Sequence, residues 1–356
     1  MKILHSADLH LDTPFTGRSE EQVRYLRRSL LEIPGKLAAL CRREQCDLML
    51  LSGDLFDGPW SADSLIALRD ALEEAAVPVF ISPGNHDFCG ANSPYLTEVF
   101  PKNVHIFTAP EIQSVALDQL GCRIYGAGYR SMDCDPLLKD FHAEGSERYH
   151  IAVLHGDPTQ VNSPYCPITA AQVRESGLDY LALGHIHKGD TIRAGKTLCA
   201  WPGCPMGRGY DEPDAKGCYI VTIDDQVQTQ FIPLDTPRFF DLEVAAGEDP
   251  EAALSTLLPA LGDDHFYRIT LTGEAAQPDL NALSAVFAHF PNLELRDRTT
   301  APKDIWGSAD ADSLEGVYFR LLKDAMAHAD EQTRQTLTLA ARISRQILDG
   351  QEVVLP

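Results

Sequence analysis

The sequence predicts an α/β protein: a two-sheet α/β sandwich with helices on its outer faces, then a smaller α+β domain and C-terminal helices. Three observations predict it. Short apolar runs alternate with helical stretches through residue 82. Beyond that point the apolar runs come closer together, with fewer helical stretches between them. Clusters of His, Asp and Gly stand directly after the apolar runs, where an open α/β sheet collects its ligands.

The run 2–6 reads as the first strand, and Ser19 is the expected cap of the helical region opening Ser-Glu-Glu-Gln-Val. A strongly apolar strand over 47–52, a helix over 62–76 and a strand over 78–82 complete a βαβαβ pattern, hence a largely parallel, buried sheet. Further strands are predicted near 104–107, 123–127, 150–154, 178–183, 217–223 and 227–232. Their closer spacing predicts a second, partly antiparallel sheet. Pro233-Leu-Asp-Thr-Pro237 reads as a linker that ends a first domain, residues 1–235. After it, residues 238–300 carry a strand at 238–244, a helix over 250–261, a strand over 266–272, a helix over 279–289 and a strand over 292–296. Two amphipathic helices, 314–328 and 331–348, make a C-terminal segment, 312–350. No internal repeat stands out, and nothing catalytic is visible after Pro237.

Composition narrows the class. The 356 residues are 44% hydrophobic and 23% charged, as in ordinary globular proteins. At about 150 residues per domain, the length allows two domains. The first residues turn polar too early for a signal peptide, and no run approaches the ~18 apolar residues of a membrane span. A cytoplasmic protein without a membrane association is expected. The nine cysteines contain no Cys-x-x-Cys, so reduced thiols are expected, not a disulfide framework or zinc ribbon. A net charge of -22 argues against coating nucleic acid by bulk electrostatics. It does not exclude a nuclease, because charge is screened over about 8 Å at physiological salt, and bound cations dominate a local site.

Five clusters carry the chemistry: Asp8-Leu-His10, Gly53-Asp54-Leu-Phe-Asp57, Gly84-Asn85-His86-Asp87, His155-Gly156-Asp157 and Gly184-His185-Ile-His187. Alone, each has a plain reading as a turn, a cap or a buried histidine. Together, each at a strand end, they supply imidazole, carboxylate and amide oxygen to one place. That donor set suits divalent metals.

The ordered set resembles the signature of the calcineurin-like metallophosphoesterases. The flanks His5-Ser-Ala-Asp-Leu-His-Leu-Asp12 and Leu51-Ser-Gly-Asp-Leu-Phe-Asp57 are similar to those of SbcD-type DNA repair exonucleases, and Pro202-Gly-Cys-Pro-Met-Gly-Arg-Gly-Tyr210 with Lys216-Gly-Cys218 to their YhaO-like bacterial branch. The likeness covers residues 1 to about 235, and the remainder only in general layout. It implies the metallophosphoesterase fold and two divalent ions, Mn²⁺ above Fe or Zn. It implies Asp8, His10 and His187 at one ion, Asn85, His155 and His185 at the other, and Asp54 bridging both. His86 would protonate the leaving oxygen, with Asp57 holding it charged and aimed. Some archaeal relatives carry histidine at the position of Asp57. The likeness further implies DNA as substrate, residues 238–300 as a capping domain, 312–350 as the contact for an SMC-like ATPase of the SbcC/YhaN kind, and a homodimer.

Asp87 and Asp157 read as supporting or turn residues, and His5, His105, His142 and His150 as structural. Gly203, Gly207 and Gly209 let a loop pass close to the site, with Arg208 a candidate phosphate contact. Two other functions stay open. One is a phosphodiesterase or phosphatase for nucleotides or other small phosphoesters. The other is a non-catalytic DNA-end-binding component of an ATPase complex.

Overall fold

The computed structural model describes residues 1–258, 264–302, 304–351 and 353. Two compact units divide the chain. The first is Met1–Leu242 with Leu261–Ile269 and Phe287–Glu294, and the second is Glu243–Ala260 with Thr270–Val286 and Leu295–Pro356.

In the first unit β1 (Lys2–Ser6), α1 (Glu20–Leu31), α2 (Ile33–Arg43), β2 (Leu48–Leu51), α3 (Ala62–Ala75), β3 (Val79–Ile81), α4 (Pro94–Thr97) and β4 (Val104–Ile106) follow the predicted alternation. Helix α2 is distinct from α1, a break that periodicity does not reveal, and Pro34 marks its first turn. Ser19 caps α1 as expected, in a reciprocal capping box with Gln22. Strands β1 to β4 pair in parallel. Their apolar runs are continuous because both faces are covered. Ile3, Leu48, Leu50 and Phe80 face the second sheet, while Leu4, Met49, Leu51 and Ile81 pack with Leu26, Leu37 and Leu68 of the helices.

The second sheet contains β5 (Gln113–Leu117), β6 (Cys122–Gly126), β7 (Tyr149–His155), β8 (Tyr180–Gly184), β9 (Lys188–Ala194) and β10 (Thr197–Gly203), with α5 (Ala170–Glu175) before β8. Its order is β5-β6-β7-β8-β10-β9, with antiparallel edges and a parallel centre. Ile124, Ile151, Val153 and Tyr180 meet the first sheet across the core. The closer spacing of the later strands points to a second sheet without saying which of them join it; β4 lies in the first sheet, and so do β11 (Gly217–Ile223) and β12 (Val227–Pro233). These last two pair antiparallel on the open edge of β1, giving β12-β11-β1-β2-β3-β4. Strand spacing cannot reveal this, because either sheet offers an edge and the backbone groups of β1 need partners.

β13 (Phe239–Ala245), β14 (Phe266–Thr272) and β15 (Leu293–Asp297) form a third sheet in that order, with α6 (Pro250–Leu257) and α7 (Leu280–Val286) in the connections. The predicted helix end at 259–261 lies outside the described residues. α8 (Leu314–Ala327) and α9 (Glu331–Leu348) start at the caps Ser313 and Asp330. Phe319 and Ala341 are fully buried between them with Ala309. Among the described residues all nine cysteines are free, and only Cys134 is not buried. No described helix is long and apolar enough to cross a membrane.

Candidate metal centre

The loops after β1, β2, β3, β7 and β8 meet in the first unit. β1 and β2 keep pairing beyond their ends, with Asp8 N–H donating to Gly53 O (3.0 Å), His10 N–H to Asp54 O (2.9 Å) and Leu11 N–H to Leu55 O (2.9 Å). Asp8, His10, Asp54 and His185 all adopt positive φ, at 53°, 48°, 51° and 95°. A left-handed backbone costs a residue with a Cβ about 1–2 kcal/mol, and such strain gathers where side chains are forced to converge. Two glycines allow the loops to close. A Cβ on Gly84 would stand 2.2 Å from Asp54 Oδ1, and one on Gly184 2.1 Å from Ser52 O. The glycine that ends β8 is there because the two sheets touch at that point.

The seven predicted ligands come together in two groups. In one, His10 Nε2 and His187 Nε2 are 3.0 Å apart, and Asp8 has an oxygen within 4.8 Å of both rings. In the other, Asn85 Oδ1 lies 2.9 Å from His155 Nε2 and 3.3 Å from His185 Nδ1. Asp54 Oδ2 stands between them, 3.8 Å from His10 Nε2 and 3.4 Å from His155 Nε2. Donors about 2.1 Å from a shared ion are about 3.0–3.4 Å apart, so these spacings fit a metal centre.

The electrostatics fit as well. Asp8 and Asp54 are 1% and 2% exposed, and their contacts are histidines and backbone N–H groups: His185 N–H donates to Asp8, His86 N–H to Asp54 Oδ1. Burial pushes Asp8 up to about 6 and Asp54 up to about 7. Buried carboxylates are normally paired or bind cations, and two divalent ions would supply what the side chains do not. Burial also holds His10 at about 3 and His185 at about 4, which keeps the rings neutral, the form that ligates metal. His155 Nδ1 lies 2.8 Å from Ser52 O. Donation to that carbonyl leaves the Nε2 lone pair facing the centre.

Beside the ligands, His86 Nδ1 meets Asp57 Oδ1 at 2.9 Å, and Asp57 Oδ2 accepts from Thr13 Oγ1 at 2.9 Å. His10 Nδ1 is 3.7 Å from Asp57 Oδ1, too long for a hydrogen bond. The neighbouring His10 and His86 rings hold the Asp57 carboxyl well below its usual range. The bond to Asp57 raises His86, against its partial burial. Arg208 Nη1 stands 3.7 Å from Asp57 Oδ2, and its buried Nε has no hydrogen-bond partner.

Asp87 lies apart from the ligand groups. Its carboxylate accepts from Gly84 N–H (2.7 Å), Leu55 N–H (2.7 Å) and Tyr95 OH (2.6 Å), tying two loops together. Asp157 accepts from Thr159 and Gln160 in its own turn. His5 is a buried bridge, Nδ1 to Tyr180 OH at 2.7 Å and Nε2 to Ser52 Oγ at 2.9 Å. His105 packs on Phe80 and Phe107, His142 meets Glu175 O, and His150 meets Tyr125. Sequence reasoning missed Glu212, whose Oε1 lies 2.6 Å from His187 Nδ1. No spacing signals it, because it is one of many acids in an irregular loop.

The pattern of the family described as calcineurin-like phosphoesterase matches residues 1–189, the stretch that holds all seven candidate ligands. The chain belongs to that family. Its members hydrolyse phosphoesters at a two-metal centre, and the donors described above fit such a centre. The chain is 31% identical over 288 residues to the uncharacterized metallophosphoesterase YhaO of Bacillus subtilis, a match covering 77% of this chain and 69% of that one. It is 25% identical over 268 residues to the SbcD component of the nuclease SbcCD of the same organism, covering 62% and 66%. A shorter match, 31% over 123 residues, links it to the 3',5'-cyclic adenosine monophosphate phosphodiesterase CpdA of Haemophilus influenzae, covering 33% and 43%.

Proposed function

We propose that this phosphoester hydrolase cleaves DNA phosphodiester bonds as an exonuclease with two Mn²⁺ ions. The observation that carries the reading is the joint arrangement of seven ligands with a histidine–carboxylate pair beside them. Asp8, His10 and His187 would hold one ion, Asn85, His155 and His185 the other, with Asp54 shared by both. Imidazole in the donor set favours manganese, iron or zinc over magnesium or calcium. Bound, such a pair supplies positive charge to the phosphate and lowers the pKa of water toward neutrality.

The protein's own groups do the rest. His86 uses Nδ1 on Asp57 and so presents Nε2–H to the leaving oxygen, donating its proton as the phosphorus–oxygen bond breaks. Asp57 favours the charged ring. Arg208, which stands near Asp57 and Glu212, would contact a phosphate oxygen.

DNA as the substrate is supported by the likeness to the SbcD component of SbcCD. By the same likeness, residues 1–235 form the nuclease domain, 238–300 a cap that selects the DNA structure, and 312–350 the contact for an SMC-like ATPase. The last assignment gains from α8, which exposes Leu314, Val317, Tyr318 and Leu321. These stand at i, i+3, i+4 and i+7, one face of the helix.

The test is digestion of end-labelled single- and double-stranded DNA with Mn²⁺, next to His86→Ala. Equal activity in the variant, or no cleavage of any DNA end, would sink the reading. A second reading, a cyclic-nucleotide or small-phosphoester hydrolase, draws on the similarity to CpdA and on the net charge of -22. Saturable turnover of cyclic nucleotides without DNA cleavage would select it.

A further inference from the structure

Glu212 lies outside every cluster singled out from the sequence, yet both its oxygens are committed at the metal centre. Oε1 meets His187 Nδ1 at 2.6 Å. Oε2 accepts from the Arg208 backbone N–H at 2.8 Å, and Arg208 Nη2 lies 3.4 Å from Oε1. The carboxylate side chain is only 10% exposed.

A neutral imidazole has one proton for two nitrogens. His187 Nδ1 also lies 2.9 Å from Arg208 Nη2, which can only donate, but its shorter contact, 2.6 Å, is to a carboxylate that can only accept, so Glu212 draws the proton to Nδ1 and leaves the lone pair on Nε2. Nε2 is the atom that faces His10 Nε2 at 3.0 Å. His155 has a similar support at Nδ1, but from the neutral carbonyl of Ser52. The anionic partner of His187 additionally makes its ring a stronger donor. We infer that Glu212 is a positioning residue that sets the tautomer and orientation of His187 for metal binding and ties Arg208 to the same group. The inference rests on His187 being a metal ligand.

A competing role for Glu212 is direct ligation, since His187, Cys204 and Glu212 also lie within 4.8 Å of one another. The 2.6 Å separation speaks against it. Ligands of one ion keep about 3 Å between donors, whereas a charge-assisted hydrogen bond is shorter.

The experiment is calorimetric titration of full-length, metal-free protein with Mn²⁺, alongside thermal unfolding of the metal-free chain, for wild type, Glu212→Gln and Glu212→Ala. Wild type should bind two ions. In Glu212→Ala one affinity should weaken about 10–100-fold while the other is kept. Glu212→Gln, which keeps an acceptor oxygen but loses the charge, should fall between. Unfolding of the metal-free chains should coincide. Wild-type affinities in both variants would overturn the inference. So would a lowered unfolding temperature with metal binding unchanged, which would make Glu212 a packing residue. Three ions on wild type and two on Glu212→Ala would make it a ligand instead. No paired binding by wild type would remove the metal assignment itself, and the inference with it.

Discussion

At the residue scale, the proposed roles separate groups that would hold cations from one that would move a proton. His86→Ala should therefore keep two Mn²⁺ per chain by titration while hydrolysis of a phosphodiester falls about 10²–10⁴-fold. Metal loss in that variant would place His86 among the ligands. Gly84→Ala should act the opposite way. The added Cβ has 2.2 Å to Asp54 Oδ1 and 2.8 Å to Asp54 N, so the carboxylate shared by the two groups must shift. Crowding of this kind costs about 1–3 kcal/mol, read as a lower urea midpoint, and metal affinity should drop with it. The seven candidate ligands are legible in the sequence because each stands in a short Gly-Asp, Asp-x-His, Gly-Asn-His or His-x-His cluster, or at the end of an apolar strand. Glu212 is not, because its partner His187 is 25 residues away and only the fold of the loop brings them together.

At the scale of elements, helix starts are well marked. Ser19, Ser313 and Asp330 each accept a backbone N–H at their helix. Ser19→Ala removes half of a capping box and should cost about 1 kcal/mol, measured by chemical denaturation with activity unchanged. The exposed face of α8 belongs to the same scale. Leu314 and Leu321 are 88% and 64% exposed, so Leu314→Ser with Leu321→Ser should leave folding and hydrolysis intact. Pull-down with a purified SMC-like ATPase should lose the complex if this face is the contact, and retained binding would remove that role from α8. Sequence periodicity locates β11 and β12 but does not say which sheet they join. Alternation of side chains reports which faces are buried, and it is silent on which edge a strand joins.

At the scale of the whole molecule, metal binding should appear as stability. Each ion at 100 times its dissociation constant adds about 2.7 kcal/mol if the unfolded chain does not bind it. Mn²⁺ should therefore raise the unfolding temperature and a chelator reverse it; an unchanged midpoint would count against a preformed centre. The sequence by itself determined the two-sheet α/β class and the His, Asp and Gly clusters from which the candidate ligands are drawn. Those depend on local periodicity and on residue types at strand ends. Only the tertiary structure decided that β11 completes the first sheet, that Asp54 turns one oxygen to the backbone and the other between two donor groups, and that Glu212 backs His187. These are matters of edges, left-handed turns and contacts between distant loops, and a one-dimensional pattern carries none of them.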